Sequence, residues 1–343
     1  MIQLRTMQNA SKTGKFWSIV LSGGDGARIK PFIRSWLGRD KPKQYCTFTG
    51  TRSLLQHTVD RASMLTPKHI VTVIDKTNLR DASEQLCNRS VSLAVQPYNR
   101  DTVSGILLPL TYIRSAQPTA TVAIFPSDHF VYPEDRFIRE IAAALVAAEY
   151  RTDRLILIGV EPDCAEVDYG WIKPGKTIRD TGNRLLSVES FLEKPSRQVA
   201  QEIMDAGALW DTGIMIANLE CLWRLAHVCL PEVMQLFDIL GKVIGSPSAP
   251  EVLDHIYSGM PPMNFSGDFL QRIPEYIAVM RLEEVSWSDW GRPGRIVQSL
   301  LAIQKEPAFP QIMEQVIARN LPEGEARHRR YPCTSEDSKK SPI

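Results

Sequence analysis

Short apolar runs rich in β-branched residues alternate with helical patterns through the first half of the chain, and this alternation constrains the fold more than any other feature. The runs span 18–21, 70–74, 92–95, 121–125 and 155–160. Between them, 53–65 and 136–150 read as helices; in the second, Phe137, Ile138, Ile141, Leu145 and Ala148 form a packing stripe at helical spacing. Continuous apolar strands separated by helices predict a mostly parallel sheet covered on both faces. After about residue 160 the chain turns irregular, with an isolated strand at 187–192 and helices near 197–206, 219–229 and on to about 256. Residues 1–15 and roughly 320–343 are polar and aperiodic, and read as mobile ends. No internal repeat is found.

With 343 residues, 43% of them hydrophobic, the chain can build one large or two modest domains. Lys and Arg number 40 against 39 Asp and Glu, a net charge of +1. That balance argues against bulk capture of nucleic acid or of an anionic membrane, so any anion must be held by a local cluster. No run approaches the roughly 20 apolar residues of a membrane span, and the N-terminus lacks a signal-peptide core, so the expected location is the cytoplasm. Six scattered cysteines without a Cys-x-x-Cys pair indicate neither a disulfide framework nor a structural zinc site.

Ligands of an open parallel sheet bind beyond the carboxyl ends of its strands, which is where the chemically informative residues fall. After 18–21 comes Ser22-Gly23-Gly24-Asp25-Gly26-Ala27-Arg28, whose glycines let backbone N–H groups wrap a polyphosphate, with Arg28 and Lys43 supplying positive charge. After 92–95 comes Gln96-Pro97-Tyr98-Asn99-Arg100-Asp101-Thr102, and after 121–125 comes Pro126-Ser127-Asp128-His129. Taken singly, Asp128 can also read as a helix cap and Asn99-Arg100-Asp101 as a solvated turn. Three such strand ends on one rim read together as a nucleotide site.

The ordered set of these three segments with Pro42-Lys43-Gln44, Tyr169-Gly170-Trp171-Ile172, Phe191-Leu192-Glu193-Lys194-Pro195, Trp210-Asp211-Thr212-Gly213 and Trp287-Ser288-Asp289 resembles the sugar-1-phosphate nucleotidylyltransferases, and within them most the mannose-1-phosphate guanylyltransferases. The resemblance runs in order from about 17 to 297. It implies a nucleotidyltransferase α/β/α sandwich with a Rossmann-like central sheet, a nucleotide half at about 16–160, a sugar half at about 161–300, and a C-terminal helix and polar tail over 301–343. It implies the reaction of a nucleoside triphosphate, GTP favoured, with a sugar 1-phosphate, mannose 1-phosphate favoured, to give a nucleoside-diphosphate sugar and pyrophosphate.

By the same resemblance, Leu21, Ser22, Gly23, Gly24, Gly26, Arg28, Lys43, Gln96, Arg100, Asp101 and Asp128 bind nucleotide, while Gly170, Glu193, Lys194 and Asp211 bind the sugar phosphate. Arg28, Lys43 and Lys194 are the catalytic cations, and Asp128 and Asp289 match metal positions suited to Mg²⁺. The chemistry needs no general base, because the attacking phosphate oxygen is already an anion. His129 reads as a packing or hydrogen-bonding residue, and Trp210, Trp287 and Trp290 as core. Asp101 can accept from the N–H groups of guanine, whereas adenine offers a ring acceptor there. Gln96-Pro97 is also similar to thymidylyl and uridylyl relatives, which leaves the base open.

Several positions depart from the family pattern. Asp25 and Ala27 replace small hydroxyl residues, Trp171 replaces a tyrosine, and Asp211-Thr212 replaces Asn-Ser. The bridge from Pro31 to Lys43 is longer than usual and carries Arg34, Arg39 and Lys41, which re-aim Lys43 or make a mobile basic flap. From 300 onward there is neither a cupin-like strand series nor a hexapeptide repeat, so a single activity is expected. The rival reading is a non-catalytic sugar-nucleotide binder on the same fold. A glycosyltransferase would carry an Asp-x-Asp motif after a strand, and the core has none. The oligomeric state stays open, a homodimer included.

Overall fold

Apolar side chains that point alternately up and down from each strand give the sheet two buried faces, and both are covered. In this computed structural model, which describes residues 15–24, 26–179 and 184–311, Ile19 and Val73 enter one hydrophobic cluster while their neighbours Val20 and Ile74 enter another. The strands are β1 (Phe16–Leu21), β2 (Ile70–Asp75), β3 (Ser92–Gln96), β4 (Thr121–Pro126), β5 (Phe130–Tyr132), β6 (Leu155–Val160), β7 (Gly170–Thr177), β8 (Leu185–Glu193), β9 (Leu209–Asn218), β10 (Ile277–Arg281) and β11 (Ser286–Ser288). The helices are α1 (Lys30–Leu37), α2 (Leu54–Leu65), α3 (Leu79–Leu86), α4 (Asp101–Ala116), α5 (Glu134–Tyr150), α6 (Arg197–Asp205), α7 (Leu219–Cys229), α8 (Pro231–Val243), α9 (Ala249–Gly259), α10 (Phe265–Asp268) and α11 (Pro293–Ala302).

Nine strands form one sheet in the order β3-β2-β1-β4-β9-β6-β10-β8-β7, and β5 and β11 make a separate two-stranded ribbon. On one face lie α4, α7, α8 and α9; on the other lie α2, α3 and α5. The helix α2 starts with a capping box, in which Ser53 accepts from the Gln56 N–H and Gln56 accepts from the Ser53 N–H.

Among the first strands the expected parallel pairing holds: β1 pairs in parallel with β2 and β4, and β2 with β3. The mostly parallel character stops there. β9 runs antiparallel between β4 and β6, and β7 and β8 are antiparallel to each other; β10 with β6 is the remaining parallel pair. For β7 and β8 the physical reason is connection length, since a short reversal can only return antiparallel. The apparently irregular second half therefore completes the same sheet.

The bridge before Lys43 is another correction. It forms α1, whose Ile33, with Ile29 before it, packs with Phe48, Trp290, Phe309 and the α11 residues Ile296, Val297 and Leu300 in a third apolar cluster. Phe32 and Trp36 add ring contacts to Phe309 at 5.1 and 5.4 Å. A helix anchored by this many aromatic contacts is an integral wall. Asp25, residues 1–14 and residues 312–343 lie outside the described residues, as does most of the expected C-terminal helix and tail; α11 begins before that span, at Pro293.

Candidate active site

The strand order reverses between β1 and β4, and a cleft of about 710 Å³ opens at that switch point. Its wall carries Leu21 from the end of β1, Gly23, Gly24 and Gly26 from the loop after it, Gln96 from the end of β3, Asp101 from the start of α4, Asp128 after β4 and Asp211 on β9. Eight of the expected nucleotide or sugar residues thus line one cavity.

The glycine loop is held from two sides. Gly26 is left-handed (φ 59°), and a Cβ there would stand 3.1 Å from the Lys43 Cβ. Gln44 donates its amide N–H to the carbonyls of Ser22 (3.0 Å) and Gly24 (2.9 Å), which fixes the loop's path. Ser22 itself is turned inward: its N–H donates to the Val73 carbonyl and its hydroxyl lies 3.4 Å from Tyr45 Oη. Arg100 also leaves the cleft, donating to the Tyr257 (2.6 Å) and Ser258 (3.2 Å) carbonyls at the end of α9.

Lys43 is 3% exposed and lies where the halves of the site meet. Its Nζ pairs with Asp128 Oδ2 at 2.7 Å and donates to the Asp289 carbonyl. Burial pushes the Asp128 carboxyl up, but the charge of Lys43, with His129, more than offsets this and holds it below the ordinary range. His129 Nε2 lies 3.7 Å from Asp128 Oδ1, and burial keeps that imidazole's pKa low.

Asp289 differs from its expected role. Its Oδ1 accepts from Tyr169 Oη (2.7 Å), Arg295 (2.8 Å) and the Gly291 N–H (2.9 Å), and its Oδ2 accepts from Arg28 (2.8 Å). The pairs continue: Arg28 to Asp168 (3.2 Å), Asp168 to Arg292 (2.6 Å), Arg292 to Glu166 (3.4 Å), Glu166 to Arg295, and Arg295 back to Asp289. Six alternating charges close a ring that joins the glycine loop, the segment before β7 and the start of α11. Burial works against the Arg28 charge, but Asp289 and Asp168 outweigh it and hold the guanidinium above its ordinary pKa. Nothing in the chain order announces this ring.

Asp128 and Asp289 are therefore joined through the Lys43 ammonium, with the Asp289 carboxylate facing arginines. No group of three or more His, Cys, Asp or Glu side chains suited to a metal ion occurs among the described residues. A hard cation fits at Asp128 together with phosphate oxygens; at Asp289, both oxygens are already taken by charge-assisted hydrogen bonds.

Gly170, Glu193 and Asp211, expected to bind the sugar phosphate, converge. Gly170 pairs with Glu193 across β7 and β8, and a Cβ at 170 would stand 3.2 Å from Glu193 Oε2 and 3.3 Å from the Asp211 Cβ. Lys194, left-handed at φ 47°, pairs with Glu193 Oε1 at 3.0 Å, its side chain half-exposed. Burial pushes the Asp211 carboxyl up to about 7; the Gly213 N–H opposes this and the Glu193 charge adds to it. Trp171 is buried and donates to the Glu166 carbonyl, so it serves the fold. Trp210 and Trp290 are buried, and Trp290 stacks on Phe130.

Residues 17–238 match the family model described as nucleotidyl transferase. Among named proteins, the mannose-1-phosphate guanylyltransferase of Escherichia coli is 24% identical over 281 residues, covering 80% of this chain and 59% of that protein. The alginate biosynthesis protein AlgA of Pseudomonas fluorescens is 30% identical over 210 residues, covering 58% of this chain and 40% of that one. The chain thus spans 59% and 40% of the lengths of these two relatives. Among solved structures, one from Thermus thermophilus, described as mannose-1-phosphate geranyltransferase, superposes with a TM-score of 0.71 at 22% identity, covering 83% of this chain and 78% of that one. The described residues contain no helix long and apolar enough to cross a membrane. With a family model matched over most of its length and the cleft at the expected switch point, this chain belongs to the nucleotidyl transferase family.

Proposed function

We propose that the protein transfers a nucleotidyl group from a nucleoside triphosphate, GTP by preference, to a sugar 1-phosphate, mannose 1-phosphate by preference, releasing pyrophosphate. The observation that carries this reading is the continuity of the cleft, which runs from the glycine loop past Asp128 to Asp211. The names of the relatives support the same reaction class, and guanylyltransferase among them supports the base and sugar.

The triphosphate lies along the glycine loop, and the sugar phosphate enters over Asp211 and Glu193. A phosphate oxygen of the sugar attacks the α-phosphorus; the new P–O bond forms as the bond to the bridging α–β oxygen breaks, and pyrophosphate leaves with that electron pair. No proton need move, because the nucleophile is already an anion. Lys43, buried beside Asp128, stays in place and neutralises charge at the α-phosphate. Arg28, whose side chain is 50% exposed, can leave Asp168 and Asp289 for the departing pyrophosphate. Lys194 steers the incoming phosphate. A Mg²⁺ held by Asp128 and the phosphates would add charge neutralisation.

A pyrophosphate-release assay with four nucleotides and several sugar 1-phosphates tests this. GTP with mannose 1-phosphate should turn over fastest. Faster release from dTTP or UTP with glucose 1-phosphate would overturn base and sugar, and binding without release from any pair would favour the non-catalytic binder.

A further inference from the structure

Two arginines meet on a single oxygen of the charge ring. Asp168 Oδ2 lies 3.2 Å from Arg28 Nη1 and 2.6 Å from Arg292 Nη2, and its carboxylate has no other partner among the described residues. All three groups are open to solvent: the exposed share of the side chain is 27% for Asp168, 50% for Arg28 and 52% for Arg292. Burial works against the Asp168 charge, but Arg292 and Arg28 outweigh it and hold the carboxyl below its ordinary range. The protein thus grips one of its own anions between two guanidinium groups.

Both arginines are anchored independently of that anion. Arg28 sits in the turn Ala27–Ile29, two residues after the cleft-lining Gly26, and its Nη2 is held at 2.8 Å by the nearly buried Asp289. Arg292 directly precedes α11 and also pairs with Glu166 at 3.4 Å. Glu166 is itself fixed, since its Oε1 accepts the N–H groups of Val167 (2.9 Å) and Asp168 (3.0 Å). If the Asp168 side chain swings away, each guanidinium therefore keeps a second carboxylate. The closed ring is neutral, three arginines against three carboxylates, and without Asp168 it carries an excess positive charge. Arginine bonds phosphate oxygens in the same forked geometry as carboxylates.

We infer that Asp168 Oδ2 marks the place of a terminal phosphate oxygen of the triphosphate, so that Arg292 binds the departing pyrophosphate beside Arg28 while Asp168 competes with it for the pair. This rests on the proposed reaction, in which the triphosphate lies along the glycine loop toward Arg28. The sequence resemblance assigns a role to Arg28 alone, and neither Arg292 nor Asp168 is among its site residues. A carboxylate on the same chain has a high effective concentration, so it lowers the affinity of any anion it must make way for.

Calorimetric dissociation constants would be measured on the full chain, with Mg²⁺ present, for inorganic pyrophosphate and for GMP, which lacks the terminal phosphates. Arg292→Gln should weaken pyrophosphate about tenfold and leave GMP within about twofold. Asp168→Asn should do the opposite and tighten pyrophosphate at least about threefold, because an amide competes less well than a carboxylate. The double variant separates contact from support: D168N/R292Q should bind pyrophosphate about tenfold more weakly than D168N. Equal affinities of those two proteins would mean that Arg292 only holds Asp168. Unchanged or weaker pyrophosphate binding in D168N would make Asp168 a structural partner. Either result overturns the inference, as does an equal loss of GMP in R292Q. Wild-type binding of GMP without pyrophosphate would overturn it alone, whereas binding of neither would remove the proposed reaction as well.

Discussion

Asp211→Asn exchanges one oxygen for an amide nitrogen at the same volume, and its effect follows from burial. Asp211 Oδ1 accepts the Gly213 N–H at 3.1 Å, a bond that an asparagine oxygen can also make. In the folded protein the carboxyl titrates at about 7, against an ordinary value of 3.8. Between those two values the folded chain keeps a proton that the unfolded chain has lost, so stability falls as pH rises, and the loss is complete above about pH 7. Three pH units at roughly 1.4 kcal/mol each put the total near 4 kcal/mol as an order of magnitude. Urea unfolding of both proteins at pH 4 and pH 8 would read this directly: the variant should gain on the wild type by several kcal/mol at the higher pH. In the proposed reaction the same proton affects binding, with neutral Asp211 donating to a sugar oxygen as an asparagine would, while Glu193 accepts. The KM for sugar 1-phosphate should then rise above about pH 7 in the wild type and stay level in D211N. A stability difference that is flat from pH 4 to pH 8 would refute the reasoning.

Three further outcomes are expected. Glu166→Gln removes the charge that holds Arg295 and Arg292 in the ring; with Glu166 only 6% exposed, it should cost about 2 kcal/mol, whereas Arg292→Gln, half-exposed, should cost under about 1 kcal/mol, both read from urea midpoints at constant m. Gly23→Ala places a methyl against the Gln96 amide and should raise the nucleotide KM about tenfold with the sugar 1-phosphate KM unchanged; equal rises would mean general misfolding of the loop. Lys43→Ala should lower kcat about 100-fold, and Lys194→Ala should act mainly on sugar 1-phosphate; near-normal turnover in either variant removes that residue from the mechanism.

The strands of the first half were legible because a doubly buried strand writes its own pattern: 18–21, 70–74, 92–95, 121–125 and 155–160 each fall within an observed strand. The helix at 219–229 was legible for a similar reason, its apolar stripe being local. The insertion of β9 between β4 and β6 was not, because strand order is set by partners fifty or more residues apart. The bridge helix α1 did carry a signal, Phe32, Ile33 and Trp36 at helical spacing, but the arginines around it read as a flap. At the site, residues at strand ends could be found, whereas Gln44 and Tyr257 matter through what they touch. The charge ring is the extreme case: Arg28 meets Asp289 across 261 positions, and no local pattern in Arg292 or Arg295 points to Glu166.

The central claim is nucleotidyl transfer across one cleft, and the most direct measurement follows the phosphorus. GTP labelled at the α-phosphate, incubated with mannose 1-phosphate and Mg²⁺, should place its label in the nucleoside-diphosphate sugar, while β- or γ-label should leave as pyrophosphate. Recovery of α-label only in GTP, or in free GMP or GDP, would contradict the account.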